Sequence, residues 1–433
     1  VTDPTTPVVP RCTGIGKGLG DTHYFSFDGF KTDFQGRCEY QVSHHCGTQD
    51  QITQKTPYFE LNARQARRTD YNHNPYVTYI HGWTFYYVPY HKQEGITLIW
   101  DKERHGENMP ISILNQDGSM TRVNTPSYDA DNQILYDDVL GRNIYFGIPN
   151  TPKALANPED FFKIKVAWKS KYYLSIELEC AYKGLVCGIL GNFNDDKSDE
   201  WKLPEAAPHN GAIVPRPPYK RSDLDPSDAE WWNAQHLFGE AWKVGDMGCE
   251  APPTPPDDSG CTEEQATLYL SEDWCGKLAT EPYSQCLQNG EDIEELIGAC
   301  LYDMCMIPEP MRVIELCNYL GERETECSAR GTPIIISYSD RINNHLCPVE
   351  CPSNMQYLEY PNTILQTIED NCQNGEMILT GSPSSHPGCG CPEGLLLWNS
   401  VTQLCVGSED CSLPVTTTQT STISLGTEST ILP

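Results

Sequence analysis

The stretch Phe-Lys-Ile-Lys-Val-Ala-Trp-Lys-Ser-Lys-Tyr-Tyr-Leu-Ser-Ile-Glu-Leu, residues 162–178, decides the fold. Phe162, Ile164, Val166 and Trp168 recur at every second position, and Leu174, Ile176 and Leu178 repeat the pattern. Side chains of an extended chain point alternately to opposite faces, so each set lines one face of a strand. Upstream, Tyr76–Trp100 carries aromatic and β-branched runs broken at Gly82, Pro89 and Gly95, as in a meander. Helix signals are weak from residue 12 to about 249. Five cysteines fall between Cys12 and Cys187. A packed sandwich core must therefore supply most of this region's stability.

The texture changes on either side. Residues 1–11 are rich in Pro and Thr and read as a linker. A second Pro-rich linker covers 251–260. Residues 261–330 then show helical periodicity, with helix starts expected near Ser271, Glu291 and Pro308. Ile293, Leu296, Ile297, Cys300, Leu301 and Met304 fall on one helical face. Seven cysteines lie between 261 and 327, so bridges are expected to substitute for a core too small to stand alone. Residues 347–411 form a short, loop-rich, cysteine-rich unit. The Thr/Ser-rich end, 412–433, has nothing to bury and reads as an O-glycosylated stalk.

A chain of 433 residues implies two to four domains. Its formal net charge of −30 argues against nucleic acid or an anionic membrane surface as partner. Seventeen acidic against three basic residues lie between Asp257 and Glu326, so about half the excess charge sits there. The clusters Glu263-Glu264, Asp292/Glu294/Glu295 and Glu322/Glu324/Glu326 read as a solvated face, or as a weak contact for calcium or mineral. Twenty cysteines without paired zinc-type spacing indicate disulfides and an extracellular location. No Asn-x-Ser/Thr sequon occurs. No run is long and apolar enough to span a membrane. The opening residues lack the basic start and apolar stretch of a signal peptide, as expected of a mature form or fragment.

Three patterns carry a family resemblance. The first is Gly-Asp-Thr-His-Tyr-Phe-Ser-Phe-Asp-Gly at 20–29 with Phe-Gln-Gly-Arg-Cys-Glu-Tyr at 34–40. The second is Cys-Gly-Ile-Leu-Gly-Asn-Phe-Asn at 187–194, followed by an acidic run. The third is the cysteine ladder from 261 to 327 with Cys-Gly-Cys-Pro-Glu-Gly at 389–394. Together they resemble the von Willebrand factor type D assembly of gel-forming mucins, zonadhesin and tectorin. The resemblance implies a mainly β fold. A type D β-sandwich (12–250) would precede a small α-helical C8 domain (261–330) and a trypsin-inhibitor-like domain (347–411).

The segment 192–200 is dense in the oxygen donors that Ca²⁺ prefers. Lys197 at its sixth position and Leu203 at its twelfth exclude an EF-hand; an Asx-rich turn is the alternative. The resemblance implies a structural calcium site from Asn192, Asn194, Asp196, Asp199 and Glu200, completed by Asp21. It also implies the bridges Cys38–Cys249, Cys46–Cys187, Cys261–Cys305, Cys275–Cys300, Cys286–Cys327, Cys317–Cys347 and Cys391–Cys405; the extra Cys180, on the strand before Cys187, is expected to form a rewired bridge Cys12–Cys180, and the cysteines left over are assigned as Cys351–Cys389 and Cys372–Cys411. Leu190 stands where the family has the second cysteine of Cys-Gly-Leu-Cys, which removes a resolving thiol. Several helical-domain cysteines are also missing, so no inter-chain disulfide is expected. Thr22 replaces the proline of Gly-Asp-Pro-His, and no self-cleavage is expected there.

His23, His44, His45, His81 and His91 accompany no hydrolase or metalloprotease pattern, so they read as packing or surface histidines, with His23 beside the calcium loop. The expected function is a non-enzymatic, secreted structural or adhesion module with extracellular glycoproteins or matrix, mineral or free Ca²⁺ as partners. The rival is a protease inhibitor or regulatory module acting through the third domain.

Overall fold

A computed structural model describes residues 11–329 except 20–21, 68–76, 102–110, 124, 138–142, 170–172, 207, 218–228, 246–248, 251–260, 288–292, 308 and 310–311. It also describes Ile334 and short strands between 356 and 407. The alternating segments form an antiparallel sheet in the spatial order β10 (Ser127–Asp129), β11 (Ile134–Tyr136), β12 (Asn143–Phe146), β13 (Ile164–Lys169), β14 (Tyr173–Glu179), β1 (Thr13–Leu19), β2 (His23–Phe25) and β3 (Lys31–Asp33). A second antiparallel sheet runs β15 (Val186–Cys187), β4 (Glu39–His45), β5 (Tyr58–Arg67), β6 (Thr78–Val88), β7 (Ile96–Asp101), β8 (Ser112–Leu114) and β9 (Met120–Arg122).

The two sheets share one core. Ile164, Val166 and Trp168 of β13 and Leu174, Ile176 and Leu178 of β14 are buried in it with Phe59, Leu61, Phe85, Leu98 and Trp100 of the facing sheet. Phe85 meets Phe146 at 4.5 Å between ring centroids, and Trp100 meets Trp168 at 4.7 Å. Each such side chain contributes up to about 3 kcal/mol by leaving water. The chain is mainly β, as expected.

Among the described residues three longer helices follow the strands of these two sheets. The first spans Ala229–Glu240; Ile293–Met306 and Arg312–Ala329 form the other two. A shorter helix, Glu263–Tyr269, starts at Thr262, whose hydroxyl accepts from Gln265 N while the Gln265 side chain returns to Thr262 N. A helix start near Ser271 is not found: its backbone carbonyl accepts from Trp274 and Gly276, closing a tight turn before the 3₁₀ segment Cys275–Ala279. Ile293–Met306 begins close to the expected Glu291, and Leu296, Cys300, Leu301 and Met304 are buried.

The helical region does not rely on bridges alone. Leu19, Phe25, Ala167 and Tyr173, on the outer face of the eight-stranded sheet, share a core with Leu296, Ala299, Met304, Leu316 and Tyr319. Val77 likewise packs with Trp232, Tyr302 and Met306. Strand and helix residues up to Pro348 thus belong to one unit.

The structure forms the bridges Cys12–Cys180, Cys38–Cys249, Cys46–Cys187, Cys261–Cys305 and Cys275–Cys300. Cys317 and Cys327 are also disulfide-bonded. Residues 349–433 form a second unit. Its described parts are three small hairpins, pairing Gln356–Leu358 with Gly388–Gly390, Cys372–Gln373 with Glu376–Met377, and Leu395–Leu397 with Cys405–Gly407. Cys347, Cys351, Cys391 and Cys411 lie outside the described residues, as does the Thr/Ser-rich stretch 412–433.

Candidate cation site

The loop after β15 is built by backbone geometry before any side chain acts. The β4–β5 ladder slips at Val42. The Gln41 and Val42 carbonyls accept from Ile189 N at 3.3 Å and Leu190 N at 3.0 Å. Leu190 in turn accepts from Phe27 N at 3.1 Å, joining the β2–β3 turn to the same loop. Gly188 has φ +138, and a Cβ there would lie 2.4 Å from the Val42 carbonyl oxygen, so only glycine fits. Leu190, where the family has a cysteine, is buried against Gly16. Phe193 stacks on Phe27 at 5.3 Å, and the Trp201 indole donates to Thr32 Oγ1 at 2.8 Å. Both ends of the acidic segment are therefore fixed.

Between these anchors the oxygens converge. Asp199 Oδ2 accepts from Asn192 Nδ2 at 2.9 Å and from Asn194 Nδ2 at 3.0 Å. Asp28 accepts from the backbone N–H groups of Asn194 and Asp195, both at 3.0 Å. Glu200 is 2% exposed. Burial, and then the nearby Asp28, push its carboxyl up to about 9. Gly191, with φ +79, makes room for it: a Cβ there would fall 1.5 Å from Glu200 Oε2.

Asn192 Oδ1, Asp199 Oδ1 and both Glu200 oxygens are buried without a hydrogen-bond partner of good geometry. A buried oxygen without a donor is disfavoured by about 1–3 kcal/mol, more if charged. Asn192, Asn194, Asp199 and Glu200 all line one cavity of about 360 Å³. The chemistry of this set suits a hard cation, since all its donors are oxygens. Among the described residues no three His, Cys, Asp or Glu side chains are already gathered at ligand spacing. The two amides present nitrogen to Asp199; turning each about its last torsion would present oxygen instead.

The structure thus brings four of the six expected residues together. Asp196 is exposed, and its Oδ1 accepts from Ser198 N at 2.9 Å, closing a turn of the loop. Asp21 lies outside the described residues. The carboxylate set against the loop from the β2–β3 side is Asp28, which the sequence reading passed over. Its signal was the Asp28-Gly29 turn inside the quoted motif.

His23 sits elsewhere than expected. Its ring is fully buried, with Nδ1 2.5 Å from Asp33 Oδ1 and Nε2 2.9 Å from Asp303 Oδ1. Asp303 belongs to the helix Ile293–Met306, so the imidazole joins strand to helix rather than supporting the loop. Burial alone would lower His23, but Asp303 and Asp33 outweigh it and lift the imidazole to about 10. Tyr302 closes the ring's edge at 5.3 Å. Of the others, His45 is buried beside Tyr58 and Tyr182, His81 contacts Tyr79 Oη, and His91 meets the Asp131 carbonyl. These surroundings are those of packing and surface histidines.

Residues 145–207, from β12 to the end of the acidic loop, match the von Willebrand factor type D domain. The chain is 25% identical to human alpha-tectorin over 397 residues, 91% of this chain and 15% of the relative. It is 23% identical to mouse mucin-2 over 395 residues (90% and 7%), and 22% identical to pig zonadhesin over 409 residues (93% and 14%). The chain therefore spans a small part of the length of the relatives it matches.

Proposed function

The chain carries a von Willebrand factor type D domain in an assembly similar to those of alpha-tectorin, mucins and zonadhesin, and from that premise we propose that it is a non-enzymatic extracellular structural or adhesion module stabilised by calcium. The supporting observation is the set of buried oxygens on Asn192, Asp199 and Glu200 without a hydrogen-bond partner of good geometry. These three, with Asn194 and Asp28, would hold Ca²⁺. The ion would supply positive charge to buried oxygens that lack a well-aligned donor, and so pin the acidic loop to the β2–β3 turn. Residues 261–330 and 347–411 fill the places of the C8 and trypsin-inhibitor-like domains.

The partners of such a module are extracellular glycoproteins or matrix. Among the described residues no helix is long and apolar enough to cross a membrane. With Leu190 in place of the second thiol, the chain associates without inter-chain disulfides. Chelation tests the calcium reading. Removing Ca²⁺ should lower the melting temperature of the first unit, and Asp199→Ala should have the same effect in calcium and be insensitive to chelator. Unchanged melting in both would overturn it.

A further inference from the structure

We propose that the cavity beside the acidic loop binds a neutral sugar, one pyranose of an extracellular glycan, through a pair of adjacent hydroxyls; the inference rests on the calcium reading above. The cavity holds about 360 Å³. One water claims about 30 Å³ of liquid, so a lone cation does not account for this space, whereas sites for small molecules begin near about 300 Å³.

A second observation, independent of the acidic residues, comes from Trp242. It lines the cavity, is 5% exposed, and its indole N–H has no acceptor of good geometry. The residue is held in place: Gln41 N donates to its carbonyl at 2.8 Å, and the His44 ring meets it edge-on at 6.0 Å. A buried donor without an acceptor is disfavoured, and a ring or hydroxyl oxygen of a sugar supplies one. Val186 and Leu203, also in the lining, add apolar surface for the C–H faces of the ring.

The same cavity is lined by Asn192, Asn194, Asp199 and Glu200. With Asp28 they offer a cation five oxygens at one each, and Ca²⁺ takes about six to eight. One to three positions are thus left for oxygens from outside the chain, which adjacent hydroxyls fill while donating their protons to the carboxylates. Charge decides which sugar. Asp199, Glu200 and Glu205 set three formal negative charges in the lining against Lys202, and Lys202 is already held by Glu205 at 2.7 Å. A bound Ca²⁺ would only cancel that excess, so a sialic acid, uronate or sulfate meets no net attraction and a neutral ring is favoured.

The test titrates the whole chain in calcium, by ligand-detected magnetic resonance, with methyl glycosides of mannose, galactose, fucose and N-acetylgalactosamine, beside sialic acid and galactose 6-sulfate. At least one neutral glycoside should bind, about tenfold more tightly in calcium than in chelator, and about tenfold more tightly than either anionic sugar. Trp242→Phe keeps a ring in the core but loses the N–H. It should weaken that binding about fivefold, the effect of one neutral hydrogen bond, while equilibrium dialysis still finds calcium bound as in the parent. Calcium bound with no neutral glycoside, equal affinity in chelator, preference for an anionic sugar, or unchanged affinity in Trp242→Phe would overturn the proposal and leave the calcium reading standing. A parent chain that binds no calcium would overturn the calcium reading, and this proposal with it.

Discussion

Replacing His23 by alanine isolates the contact that joins the sandwich to the helices. The change leaves Asp303 buried, with one carboxylate oxygen already unpartnered and the other now bereft of Nε2. Asp33 keeps Lys31 at 2.9 Å. Removing one member of a buried ion pair destabilises by about 3–5 kcal/mol. Raising the imidazole from 6.5 to about 10 corresponds to about 4–5 kcal/mol, which agrees. With unfolding entropy near 2.1 cal/mol/K per residue over roughly 300 residues, each kcal/mol moves the melting point by about 1.5 °C. The variant should therefore melt about 5–8 °C lower.

The sign with pH follows from the same shift. A group whose pKa is raised by folding contributes fully below its unfolded value near 6.5 and loses that contribution as pH climbs through about 10. Asp33 is held well below the usual carboxylate range, because Lys31 and His23 outweigh its burial, so its share is lost only in strong acid. Calorimetry of parent and His23→Ala should show the widest gap between about pH 4 and 6.5, closing towards pH 10. A double-mutant cycle with Asp303→Ala should return at least about 2 kcal/mol of coupling. A melting shift under about 1 °C, or additivity within about 0.5 kcal/mol, would refute the reasoning.

Other perturbations separate the remaining parts of the account. Gly191→Ala places a methyl on Glu200 in a left-handed backbone, and should lose about 2 kcal/mol in urea unfolding together with the response to calcium. His236, stacked on Trp232 and lowered to about 4 by burial, must take up a proton on unfolding; its share of stability, about 3 kcal/mol, should be present above pH 6.5 and fade as pH falls towards 4, and His236→Phe should flatten that acid limb in circular dichroism melts. The purified chain should run as a monomer on non-reducing electrophoresis; a reducible dimer band would contradict an assembly without inter-chain bridges.

The sandwich was legible because Ile164, Val166 and Trp168 alternate cleanly, and the facing sheet accepts them. The helix–sheet interface was not. Leu19, Phe25, Ala167 and Tyr173 lie on the face that alternation assigns to solvent, and a period-two reading does not say what covers that face. The role of His23 was hidden for the same reason: its partner Asp303 is 280 residues away. The partners within bridges such as Cys38–Cys249 and Cys46–Cys187 were not legible from the cysteine positions, since spacing alone leaves the partners open. The acidic loop was legible as a cluster of oxygens. Its partner carboxylate was not, because choosing Asp28 requires knowing that Phe27 N meets the Leu190 carbonyl.

Equilibrium dialysis of the chelator-stripped chain against radioactive calcium, beside Glu200→Gln, tests the central claim most directly. One calcium bound per chain, lost in the variant, is the result expected of a loop whose buried oxygens await a cation. No binding by the parent chain, or equal binding by Glu200→Gln, would contradict it.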